Sequence, residues 1–125
     1  MTGENFLLSY FLGLSLDRAG KRLEAIAAYK ESVRLDPKNA EAHLGLGKTE
    51  LALGRVNDAI AELEETLRLS PNNLQARRLL SQAYRRAGDA ANAAKYAEGS
   101  DETSLAPEGD LLGDFLLPQW ITPEN

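Results

Sequence analysis
The chain has no cysteine, so disulfides, thiolate metal sites and a cysteine nucleophile are all excluded. That absence fits a reducing compartment. A single histidine, His43, cannot build a histidine cluster, and no His-Glu-x-x-His stretch occurs. Neither Gly-x-Gly-x-x-Gly nor a Gly-x4-Gly-Lys-[Ser/Thr] phosphate loop is present. Positive charge is in deficit: the net charge is −5, whereas a non-specific nucleic-acid binder carries a basic surplus. The longest apolar run, Phe6 to Leu16, stops at Asp17-Arg18, short of the roughly 20 residues a membrane span needs. Glu4 stands where a signal peptide would carry basic residues. The expectation is a cytoplasmic protein without a membrane span or export signal, needing no cofactor or metal.

Aromatics make up only 6% of the chain, and Val, Ile and Thr are sparse. Alanine and leucine dominate a hydrophobic content of 43%. Both are strong helix formers, so the composition predicts an all-α fold. At 125 residues, the length suits one compact domain.

What is present is a repeat. Gly20, Gly54 and Gly88 recur at intervals of 34 residues, as do Ala25, Ala59 and Ala93, and Leu12, Leu46 and Leu80. Pro37 and Pro71 share the same interval. One unit is a first helix ending at a glycine, which supplies a left-handed cap, then a second helix ending before a proline. Small residues mark close crossings: Gly13, Gly47 and Ser81 on the first helices, Ala25, Ala59 and Ala93 on the second. The pattern predicts helices near 5–18, 22–35, 40–52, 56–69, 74–86 and 90–98.

These residues resemble the tetratricopeptide repeat, whose pattern is Trp-x2-Leu-Gly-x2-Tyr, then Ala-x3-Phe, then Pro. The first unit has Leu12-Gly13-x2-Leu16, Ala25-x3-Tyr29 and Pro37. The second has His43-x2-Leu46-Gly47-x2-Glu50, Ala59-x3-Leu63 and Pro71. The third has Arg77-x2-Leu80-Ser81-x2-Tyr84 and Ala93-x3-Ala97. No unit carries the tryptophan; His43 occupies one such position and reads as a packing residue. Glu50 replaces the aromatic in the second unit, where a looser, solvated crossing is expected.

The resemblance implies a right-handed α-solenoid of three repeats, about 6–39, 40–73 and 74–100, within residues 1–100. It implies a protein-binding scaffold rather than an enzyme, with a peptide or helix of a partner lying in a concave groove. Carried onto this chain, the groove is lined by Leu7, Tyr10, Leu14 and Asp17 of the first unit. Glu41, Leu44, Lys48 and Leu51 follow from the second, and Gln75, Arg78, Gln82 and Arg85 from the third. Each set keeps helical spacing and so shares a face. The groove is expected to be apolar at one end and basic at the other, suiting an acidic peptide with apolar anchors. Arg78 and Arg85 would pair with its carboxylates. The carboxylate clamp of some family members is not implied, because Tyr10, Leu14, Gly45, Gln75 and Leu79 stand at its positions. Asp17, Arg18, Glu62, Glu64 and Glu65 read as solvated helix faces.

The C-terminal stretch 101–125 differs: it carries six acidic residues and no basic one, while 1–100 holds 14 basic and 13 acidic. It also carries Leu111, Leu112, Phe115, Leu116 and Trp120, too many large apolar groups for a merely solubilising tail. Three coverings are open. A helix from Leu111 to Leu117, capped by Asp110 and ended by Pro118, seals the end of the solenoid. Alternatively the tail enters the groove of its own or a neighbouring chain, or docks on a separate protein. The first helix is apolar nearly all round, a pattern normally buried, which raises the alternative of a self-assembling module using this helix and the tail.

Overall fold
The structure, a computed structural model, describes residues 2–97. Six helices follow in order: α1 (Thr2–Arg18), α2 (Arg22–Leu35), α3 (Ala40–Ala52), α4 (Val56–Leu69), α5 (Leu74–Arg86) and α6 (Ala90–Ala97). Four of them, α2 to α5, begin and end where the repeat pattern places them. α1 starts three residues earlier than expected, at Thr2.

Each pair is joined by the same bend. Gly20, Gly54 and Gly88 all have φ of 84°, a left-handed conformation that glycine adopts without a Cβ penalty. The residue after each glycine closes the helix end: Lys21 N–H donates to Leu16 O (2.8 Å), Arg55 to Glu50 O (2.9 Å) and Asp89 to Tyr84 O (2.9 Å). This satisfies carbonyls that a helix terminus otherwise leaves unpaired. The next pair starts from a side-chain cap. Asn39 Oδ1 accepts from Glu41 N and Ala42 N, and Asn73 Oδ1 accepts from Ala76 N at 2.9 Å.

Pairs stack in register. α3 packs on α2 and α5 on α4, and each first helix also touches the next first helix. The second helices approach one another less closely, so α1, α3 and α5 form the inner side of a curved array. Two core clusters result. Ala25, Ile26, Tyr29 and Leu46 join the first pair to the second. Leu44, Leu51, Ala59, Leu63, Ala76, Leu80 and Ala83 join the second pair to the third. The small residues of the repeat lie at the crossings, with Ala25 and Ala59 fully buried.

Candidate functional site: the cleft along α1, α3 and α5
The first junction encloses a cleft of about 200 Å³ on the inner side of the array. Tyr10, Leu14 and Asp17 reach it from α1, Glu41, Leu44 and Lys48 from α3, and Gln75 from α5. These seven belong to the groove set predicted from the sequence. The other five do not line this cleft. Leu7 lies on the outward face of α1. Leu51 is 3% exposed within the core of the second junction and offers no surface to a ligand. Arg78, Gln82 and Arg85 lie further along α5, where Arg85 Nη2 donates to Ser81 Oγ at 3.3 Å.

Sequence reasoning missed Arg18, Tyr29 and Gly45 as part of the lining. Tyr29 is 1% exposed and wedges between two glycines. A Cβ at Gly13 would lie 2.8 Å from its ring, and one at Gly45 2.7 Å. The signal was the residue series at 34-residue spacing, in which Phe11 and Leu79 flank Gly45. The missing side chain admits the tyrosine ring from below and leaves the cleft open above.

Electrostatically the cleft is mixed. Asp17 pairs with Arg22 at 3.4 Å. Burial, then the nearby Glu41 carboxylate, raises the pKa of Tyr10. Burial, then Asp17, pushes Tyr29 up to about 12. Both phenols therefore enter the cleft neutral, as hydroxyl donors or ring surfaces. Lys48 is exposed at the rim. No group of His, Cys, Asp or Glu that could hold a metal occurs among the described residues.

Of the acidic residues expected to be solvated, Glu64 is exposed and the Glu65–Arg68 pair lies at the surface, whereas Glu50 is enclosed. Glu50 is 3% exposed, and its Oε1 has no hydrogen-bond partner among the described residues. Burial first, then the Glu62 and Asp58 carboxylates, raise its pKa to about 7. The expected loose crossing is thus a closed one that encloses a carboxyl group. Glu62 Oε1 lies 2.7 Å from His43 Nδ1, while His43 Nε2 lies 2.8 Å from the Pro37 carbonyl. His43 therefore packs as expected and also clips the α2–α3 turn to α4. Glu64 accepts from the Tyr84 hydroxyl, a bond that raises the Tyr84 pKa. Glu65 pairs with Arg68 at 2.5 Å.

The tail residues Leu111, Leu112, Phe115, Leu116 and Trp120, and the capping helix expected there, lie outside the described residues. No helix among the described residues is long and apolar enough to cross a membrane.

Comparison with known structures gives matches of the same architecture. The protein MamA, as its R50E mutant, superposes with a TM-score of 0.73 at 24% identity, covering 78% of this chain and 72% of that one. A second MamA structure gives 0.74 at 24% identity, covering 83% of this chain and 61% of that one. The first repeat domain of Spaghetti (RPAP3), bound to the HSP90 peptide SRMEEVD, gives 0.75 at 20% identity, covering 77% of this chain and 76% of that one. Comparison with curated protein sequences finds no significant match. The family model described as tetratricopeptide repeat matches residues 10–73 and again 46–107. With its glycine bends, crossing alanines and stacked helix pairs in that register, the chain belongs to the tetratricopeptide repeat family.

Proposed function
We propose that this protein is a binding scaffold whose cleft along α1, α3 and α5 holds an extended or helical peptide segment of a partner protein. The observation that carries this reading is the convergence of Tyr10, Leu14 and Leu44 with Lys48, Glu41 and Gln75 around one cleft on the inner side of the array. A pocket of this kind combines apolar surface with a few oriented polar groups, as ligand sites do. Lys48 at the rim, with Arg78 and Arg85 further along α5, favours a segment bearing carboxylates beside apolar anchors. The RPAP3 domains, similar in fold, are bound to SRMEEVD, a peptide rich in carboxylates. Nothing in the cleft assembles a nucleophile with a base, so the reading is of binding rather than catalysis.

Peptides selected from a random display library test this. The expected winners carry acidic residues next to large apolar ones. Their affinity is expected to fall about tenfold on Lys48→Glu, and similarly on Arg78→Glu with Arg85→Glu. It should also weaken with added salt. Selected peptides whose affinity survives both sets of changes would remove the cleft from consideration.

A further inference from the structure
The repeat allows each surface position of α1 to be compared with its equivalents 34 and 68 residues on. Leu8 corresponds to Ala42 and Ala76, Leu12 to Leu46 and Leu80, and Ser15 to Thr49 and Ala83. All six of those equivalents are buried, because these positions are the ones with which α3 and α5 stack on the preceding pair. On α1 the same positions face outward. Leu8 is 70% exposed and Leu12 53%, with Phe11 at 55% between them. Together with Leu7 and Glu4 they line a shallow apolar depression on the outer side of α1. The face is thus a stacking surface with nothing among the described residues seated on it.

Charge placement says what suits it. Glu4, Leu8, Phe11, Ser15 and Arg18 follow one another at spacings of four, three, four and three residues. That is the heptad spacing of a helix-pairing seam. The seam has an acid at one end, Phe11 midway and, one turn past the apolar depression, Arg18, an exposed side chain that also borders the inner cleft. A parallel partner helix with the same seam would set Glu4 against Glu4. An antiparallel one sets Glu4 against Arg18 at both ends, with the two Phe11 rings meeting at the centre. A self-complementary arrangement of this kind is what a two-fold interface requires. The C-terminal segment is a poorer occupant, because its excess of carboxylates would lie along a seam whose only cation is Arg18.

We infer that the outer face of α1 is a homodimer interface, formed by antiparallel packing on α1 of a second copy across Leu8, Phe11 and Leu12. This goes beyond the peptide cleft and is independent of it. One helix against one helix makes a small interface, so the dimer is weak, with a Kd on the order of 10–100 μM.

Sedimentation velocity on the full chain, from about 5 to 500 μM, spans that range. The expected result is a monomer–dimer equilibrium, with Leu8→Glu weakening it at least about tenfold. Leu23→Glu, on an exposed leucine of α2, should leave it unchanged. Because Leu8 is exposed, helicity by circular dichroism should be kept. Glu4→Arg and Arg18→Glu each weaken association, and the two together restore it. Four results would overturn the inference: a monomer throughout, dimerisation indifferent to Leu8→Glu, no restoration in the charge-swapped double variant, or loss of association on Phe115→Ala with Trp120→Ala. The last would identify the C-terminal segment as the occupant. Binding of selected peptides in the cleft is expected to persist in Leu8→Glu, which separates failure here from failure of the cleft reading.

Discussion
The two junctions of the array use one repeat to different ends. At the first, Tyr29 fills the crossing and two glycines, Gly13 and Gly45, make room for its ring. At the second, Leu63 stands in the place of Tyr29, Gly47 alone gives way to it, and Leu79 takes the place of Gly45 and packs against the core. The aliphatic junction closes. The aromatic one leaves a cleft, since a flat ring inserted beneath a glycine lifts no side chain into the space above. Interior packing tolerates little free volume, so a cavity on the inner side needs a residue that declines to fill it. Gly45 is that residue, and the location of the cleft follows from it.

Substitutions can break or sharpen this contrast. Leu63→Ala should be the most damaging, because Leu63 is fully buried in the closed junction; a loss of about 2–5 kcal/mol is expected in urea unfolding. A retained midpoint would show that the second junction is looser than its packing indicates. Next is Glu50, which occupies the position of Leu16 in the first pair. Its carboxyl binds a proton more tightly in the folded chain, where its pKa is about 7, than in the unfolded one, near 4.5. The stability associated with that proton is complete below pH 4.5 and is lost as the pH rises through 7. The difference amounts to roughly 3 kcal/mol. Glu50→Gln should therefore flatten stability between pH 5 and pH 8 (about the range of that titration) and raise it at the alkaline end. A pH profile identical to that of the parent would refute the buried-acid account.

The smallest of the three effects is Gly45→Ala. The new methyl group meets the Tyr29 ring at 2.7 Å, and overpacking of this kind costs about 1–3 kcal/mol. Adding Tyr29→Leu, which imports the second junction's solution, should recover most of it. Failure of the pair to recover would mean that the two junctions differ by more than this exchange of ring for branch.

Much of the fold was legible because helix ends announce themselves locally. Gly20, Gly54 and Gly88 mark left-handed caps, and Pro37 and Pro71 mark where the second helices stop, at Leu35 and Leu69. The candidate site was legible only as a face. Helical spacing placed Tyr10, Leu14, Lys48 and Gln75 on one side, but it could not separate Leu44, a core residue that also borders the cleft, from Leu51, one face-repeat further and away from the cleft lining. Leu12 and Leu46 show the limit most plainly. They are the same residue in the same register, and one is exposed while the other is buried. What differs is the neighbour, which no local pattern contains. Glu50 was misjudged for a related reason: a charged residue reads as solvated until the surrounding helices are seen to enclose it.

The imidazole of His43 has an effect on how the array comes apart. Stacked repeats interact with nearest neighbours, and such chains can melt one unit at a time. His43 reaches back to the Pro37 carbonyl and across to Glu62, so the turn that ends the first unit hangs on the two helices of the second. Separating those units would strip partners from polar groups that water reaches poorly. The clip thus couples the first four helices against unravelling unit by unit, as the Tyr84–Glu64 bond and the Arg86 donation to the Leu51 carbonyl couple α5 to the second pair.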